Sequence, residues 1–189
     1  MHVVLGLDIS TRCTGYCVLS SGEHNLKLLK ADYIDLSKIK SMYSKAKHVS
    51  SVLDSLIEEY KVTETVIEEN LQSFRPGMSS AKTILSLAKF NGIVSFLVEE
   101  KMKKAVSAVS VVSARSKLGI KIDRKSTKST KEQVLDWVQR QDTFIDYSWP
   151  TKTLRNGPRR GLTVADPASF DVADSAVVAL FFIKNVLRC

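Results

Sequence analysis

The chain has 189 residues, 44% of them hydrophobic and 25% charged, with a formal net charge of +8; these proportions supply one globular domain with a real core and exclude wholesale disorder. Cys13, Cys17 and Cys189 form an odd set with no metal-binding spacing, which argues against a disulfide scaffold and for free thiols in a reducing compartment. No apolar run reaches the roughly 18 residues of a membrane span and no secretory signal opens the chain, so the expectation is a soluble protein with no membrane partner.

Val3 to Asp8 and Thr14 to Ser20 read as two short strands joined by a tight turn at Ser10 to Cys13, with a third strand at Lys27 to Asp35. From Ser41 to Tyr60, Ala46, Val49, Leu53, Leu56 and Tyr60 recur at three-and-four spacing, the pattern of an amphipathic helix. Thr65 to Glu68 is a short buried strand that emerges into two acids, and Gln72 to Gly77 reads as a loop from its Pro and Gly. Residues 79–103 read as a long helix whose apolar positions wrap most of the way round, so it asks to be covered on more than one side, by a sheet or by a second copy. Ala105 to Val112 is a further expected strand, and Ser129-Thr-Lys-Glu132 has the capping-box order that opens a helix through Gln141. Asp146 to Asp166 reads as a polar loop, and Ser169 to Val186 as a strongly apolar final helix. Strands followed by alternating strands and helices predict a single α/β domain over residues 1–189, a mixed β-sheet flanked by α-helices.

The charge excess is local. Lys101 to Arg160 holds 15 Lys and Arg against 5 Asp and Glu, while the remainder is slightly acidic. A basic surface confined to part of a small domain is the footprint of a polyanion partner, nucleic acid first, with a solvated face as the plainer alternative.

Asp8 ends one strand and Glu68 another, while Asp171 and Asp174 stand three apart on one face near the start of the final helix. Acids from strand ends and a helix start can meet at one edge of a sheet, where they repel one another unless cations sit between them. Hard oxygen donors without His or Cys suit Mg²⁺ or Mn²⁺, and such a cluster serves two-metal phosphoryl chemistry. Taken alone, Asp171 reads as a helix cap before it reads as catalytic, and Glu69 and Asp166 read as surface acids.

GLDISTRCTGYCVL, VIEENLQSF and SFDVADSAVVAL, in this order and at these separations, resemble the three acidic motifs of the RuvC family of Holliday-junction resolvases. The similarity runs through the long helix with AKFNG and the Lys-rich segment that follows. It implies an RNase H-like fold, two Mg²⁺ per site held by Asp8, Glu68, Asp171 and Asp174, with Mn²⁺ substituting, and catalytic lysines at Lys117 and Lys131. It also implies a homodimer through the helix 79–103 that nicks opposed strands of a four-way DNA junction symmetrically, leaving ligatable 5′-phosphate ends. The expected DNA contacts are Phe74, Arg75, Lys117, Lys121, Arg124, Lys125, Lys128, Lys131, Arg155, Arg159 and Arg160. The matching compartment holds DNA and is reducing: cytoplasm or nucleoid, or a mitochondrion or plastid if a transit peptide has been removed.

Three features depart from the family pattern. Ile9-Ser10 stands where bacterial members usually carry Pro-Gly, Leu71 holds the offset of the junction-facing aromatic with Phe74 three residues later, and 148–166 reads as a basic loop insertion. Rival readings are an RNase H-type nuclease on RNA–DNA hybrids, which needs no second active site, and a junction-binding protein that does not cut, against which four acids argue. An actin-like kinase would need a second domain and phosphate loop, for which eight glycines and this length leave no room.

Overall fold

The apolar run at the N-terminus forms β1 (His2–Asp8), the centre of a five-stranded sheet. The structure is a computed structural model and describes residues 1–22, 25–69 and 81–187. β2 (Cys13–Ser21) folds back antiparallel to β1, and β3 (Leu26–Asp35) pairs antiparallel with β2. Ser10 fixes the first turn: its hydroxyl donates to the Cys13 carbonyl at 2.7 Å and accepts from the Cys13 N–H at 3.2 Å. α1 (Met42–Tyr60), capped by Ser41, carries the chain to β4 (Glu64–Glu68), parallel to β1 on its other side. α2 (Ala81–Met102) leads to β5 (Ser107–Val109), parallel to β4, and the strand order is β3-β2-β1-β4-β5.

Helices cover both faces, which is why β1 reads as a continuous apolar run. Its odd residues Val3, Leu5 and Leu7 pack with Val49, Leu53, Phe90 and Val94 under α1 and α2. Val4 faces the opposite core, built with α3 (Val111–Lys117), α4 (Thr130–Gln139) and α5 (Pro167–Phe182), where it joins Ala114, Val134, Val138, Val177 and Leu180.

Four expectations change. The strand expected through Val112 stops at Val109, because its partner β4 ends at Glu68, paired with Val109; the next residue opens α3. The polar loop at 146–166 contains a two-stranded antiparallel ribbon, β6 (Thr151–Thr153) and β7 (Thr163–Ala165). The last helix starts at Pro167, with Asp166 rather than Asp171 as its cap, and continues as a π-helix over Ile183–Leu187. Finally, α2 is long and apolar enough to span a membrane by those two measures, contrary to the sequence reading. It is also the long helix expected from the sequence; it packs on α1 and buries only Phe90, Asn91, Val94 and Val98, leaving Leu85 and Phe96 more than 60% exposed.

Candidate metal centre and DNA-facing surface

Asp8 is the last residue of β1 and Glu68 the last of β4. The parallel register pairs Leu7 with Ile67, so the two acids leave the sheet side by side at its C-terminal edge. Across β1's other side Asp8 pairs with Gly15. α5 rests directly on this pair of strands: a Cβ at Gly15 would lie 2.2 Å from the Asp171 carbonyl oxygen, and one at Gly6 2.3 Å from that of Ser175. Two missing side chains therefore seat the first turns of α5, with Asp171 and Asp174, over the edge that carries Asp8 and Glu68.

The four acids lie close enough to act on one another's charge. Burial pushes the Asp8 carboxyl well above the usual carboxylate range, and Glu68, Asp174 and Asp171 push it further, against the pull of Lys131. Glu68 is raised to about 7, by burial and then by Asp174, while Arg115, Lys131 and a hydrogen bond with Asp8 oppose the shift. Asp174 is raised by burial, with Arg115 opposing. Without further cations the cluster thus holds protons that isolated carboxylates would release at neutral pH.

Two cations enter the cluster. Arg115 on α3 donates from Nη2 to Asp174 Oδ1 at 2.9 Å, a pair only 19% and 6% exposed, and its buried Nε has no hydrogen-bond partner among the described residues. Lys131 on α4 reaches Asp171 Oδ1 at 3.4 Å; burial works against its charge, but Asp171, Asp174 and Asp8 outweigh it and raise its pKa. Lys117 does not enter: it is exposed, two residues past Arg115, and on a helix that offset of about 200° turns it to the far side. On this segment the structure brings Arg115, not Lys117, to the acids. Asn91, buried in α2, donates to the Glu68 carbonyl at 3.4 Å and ties the long helix to the end of β4.

The donor set fits hard divalent cations: four carboxylates, no imidazole, and a recess lined by Asp8, Ser10, Glu68, Asn91, Lys131 and Asp171 that opens to the surface. Among the described residues no group of three or more His, Cys, Asp or Glu is arranged closely enough to hold a metal ion, and Arg115 and Lys131 pair with two of the acids. Cys13 lies against Asp171, where burial and that carboxylate keep its thiol protonated. Glu69 lines the same recess, whereas Asp166 is engaged as the α5 cap, accepting from the Ala168 N–H at 3.0 Å.

Lys121, Arg124, Lys125 and Lys128 are exposed along the segment between α3 and α4, with Lys128 paired to Asp136. Arg155, Arg159 and Arg160 are exposed on the β6–β7 ribbon. Phe74 and Arg75 lie outside the described residues. Sequence reasoning missed Arg115 and Asn91; the signal for the second was a lone amide in an apolar helical run, and for the first there was none.

The family model for crossover junction endodeoxyribonuclease RuvC matches residues 4–142, a span that holds Asp8, Glu68 and Lys131 and stops short of the ribbon and α5. The chain is 28% identical over 137 residues to the crossover junction endodeoxyribonuclease RuvC of Aliarcobacter butzleri, covering 72% of this chain and 81% of that one. It is 26% identical over 137 residues to that of Helicobacter pylori strain G27, covering 72% and 80%. In fold it is similar to T. thermophilus RuvC in complex with Holliday junction substrate, with a TM-score of 0.63, 15% identity and coverage of 97% and 96%. The yeast mitochondrial Holliday junction resolvase Ydc2 gives a TM-score of 0.58 at 19% identity, covering 96% of this chain and 77% of that one. These structural likenesses extend the shared fold over the ribbon-bearing C-terminal third, and with the matched model they lead to one assignment: the chain belongs to the RuvC family of crossover junction endodeoxyribonucleases.

Proposed function

We propose that this protein is a metal-dependent endonuclease that resolves four-way DNA junctions by hydrolysing opposed strands symmetrically to leave ligatable 5′-phosphate nicks. The observation that carries the reading is the half-buried four-carboxylate cluster at one sheet edge, entered by Arg115 and Lys131, in a chain of this family. Asp8, Glu68, Asp171 and Asp174 would hold two Mg²⁺ or Mn²⁺ ions, which supply an activated water and stabilise the leaving oxygen. Asp8 and Glu68 would give up protons to become ligands, and the charge of the ions would offset the repulsion that holds those protons. Arg115 and Lys131 are the positioned cations for the non-bridging oxygens of the scissile phosphate, where fixed charge stabilises developing negative charge. Lys121, Arg124, Lys125 and Lys128 continue the basic surface for the flanking strands, with Phe74 and Arg75 assigned from the sequence alone; Arg155, Arg159 and Arg160 extend it.

Symmetric cutting requires two sites. Leu85, Ala88, Gly92 and Phe96, at three-and-four spacing, form an exposed stripe along α2, and this supports a homodimer through that helix. The unpaired thiols of Cys13 and Cys17 suit a reducing, DNA-containing compartment.

The test is cleavage of a labelled four-way junction with Mg²⁺, beside linear duplex and RNA–DNA hybrid, with Asp174→Asn as control and Mn²⁺ binding measured separately by calorimetry. Paired symmetric nicks on the junction, absent in the variant, are expected. Preferential hybrid cutting would move the substrate to RNA–DNA, and tight junction binding without cutting would make the protein a binder.

A further inference from the structure

The segment between Tyr147 and Pro167 leaves the body as a stiff ribbon. Thr151 pairs with Ala165, Lys152 with Val164 and Thr153 with Thr163, and the Leu154 N–H continues the ladder to the Leu162 carbonyl at 2.9 Å. Gly157 and Gly161 turn the tip at φ of +80° and +86°, angles that side-chain-bearing residues resist. Every residue from Thr151 to Thr163 is exposed except the half-buried Leu154, so no core holds this ribbon from beneath.

Its root is nevertheless fixed. Trp149 stacks edge-on against Tyr147 at 4.8 Å and lies 6.1 Å from Phe144, while the Tyr147 hydroxyl donates to the Ala31 carbonyl at 3.1 Å. The Pro150 carbonyl accepts from both the Ser169 hydroxyl, at 2.6 Å, and the Asp166 N–H, at 3.0 Å. A solvated, protruding ribbon on a rigid base gains nothing for the fold, and its composition is one-sided: Lys152, Arg155, Arg159 and Arg160 with no acid between Thr151 and Ala165.

Its position is set by both ends. β7 ends one residue before the Asp166 cap of α5, five residues ahead of Asp171. Glu132, held below the usual carboxylate range by Ser129, also feels Arg159, and Glu132 neighbours Lys131, the lysine on Asp171. The base of the ribbon therefore adjoins the start of α5, the helix that carries Asp171 and Asp174.

We propose that the β6–β7 ribbon is a clamp for duplex DNA that lies in the major groove of the arm leaving the active site, its four cations on the flanking phosphates. This rests on the junction-cleaving reading and specifies how the substrate is gripped. A two-stranded ribbon is of the width that the roughly 12 Å major groove admits, and its cations, Lys152 on β6 and Arg155, Arg159 and Arg160 between the strands, are those that would meet the flanking phosphates.

The test compares the wild type with a quadruple Lys152→Gln, Arg155→Gln, Arg159→Gln, Arg160→Gln variant, and with one in which residues 153–163 are replaced by Gly-Gly, a two-residue closure suited to a hairpin. Binding to a four-way junction and to linear duplex is measured against salt without divalent metal, with hydroxyl-radical footprinting. Four phosphate contacts predict a slope of log affinity on log salt shallower by about 3.6 in the quadruple variant, so that the wild type loses on the order of 100-fold more affinity between 50 and 200 mM salt; the replacement of 153–163, which keeps Lys152 and removes three cations, predicts about 2.7. One stretch of arm protection should vanish, and lost cleavage should return when protein exceeds the weakened Kd. An unchanged slope and footprint would overturn the proposal, as would a change in oligomeric state on neutralising the ribbon. Wild-type protein that shows the ribbon-dependent slope on duplex yet cuts no junction would leave the clamp standing and overturn the proposed function instead.

Discussion

Replacing Gly15 by alanine adds one methyl group at the point where the sheet meets α5. The new Cβ would lie 2.2 Å from the Asp171 carbonyl oxygen, 2.3 Å from its carbon and 2.7 Å from the Val172 nitrogen, where ordinary contact begins at 3.4 Å. The atoms in the way are helix backbone, so no side-chain rotation relieves the clash, and α5 must retreat by at least the difference between 3.4 and 2.2 Å, or 1.2 Å, at this turn. Overpacking of this kind costs about 1–3 kcal/mol, and an obstructing backbone places it at the upper end. For a domain of this size that lowers Tm by about 6–12 °C. The retreat also carries Asp171 and Asp174 away from Asp8 and Glu68, and misplacement by about 1 Å reduces rate roughly 100-fold. Thermal melts by circular dichroism, single-turnover junction cleavage and Mn²⁺ titration follow the three consequences. A Gly15→Ala protein that melts within 2 °C of wild type (a bound set from the same scaling) and cuts at an undiminished rate would refute the view that this glycine seats the acid-bearing helix.

Because Glu68 titrates near 7 in the folded protein against 4.5 as its ordinary value, the folded state binds more protons across that interval, and stability falls as pH rises through it. The loss is on the order of 3 kcal/mol and is complete above about pH 7; metal-free melts at pH 5 and pH 8 should show it, and Mg²⁺ should restore Tm at pH 8 far more than at pH 5. Asp8→Asn removes a carboxyl that folding forces to keep a proton the unfolded chain would release, so the metal-free variant should melt higher than wild type at pH 8 while losing cleavage and the Mg²⁺ response. Arg115→Met strands a buried carboxylate and should cost about 3–5 kcal/mol in denaturant unfolding, whereas Lys117→Met, on the exposed side of α3, should stay within about 0.5 kcal/mol. Phe96→Glu places a charge in the exposed α2 stripe and should yield a monomer in sedimentation that has lost paired nicking.

The sequence by itself determined the order of elements and the identity of the acids. Period-two and period-3.6 patterning marked β1 to β4, α1, α2 and the apolar body of α5, because burial against a sheet imprints those periods locally. The capping box at Ser129 and Glu132 is likewise local chemistry and appears as read. Asp8 and Glu68 stood out because a carboxylate at the end of a buried strand has few other uses. What depended on partners far along the chain was left to the tertiary structure. β5 ends at Val109 because β4 ends at Glu68, a limit written 41 residues earlier, and α3 begins where the ladder runs out. Whether Arg115 or Lys117 meets Asp174 turns on the rotation of that unforeseen helix. The ribbon at 151–165 looked like loop because both of its faces are solvated, which leaves no apolar alternation to read. Gly6 and Gly15 were silent in the sequence for the same reason: their function is the space they leave, and only the helix lying across the sheet gives that space a meaning.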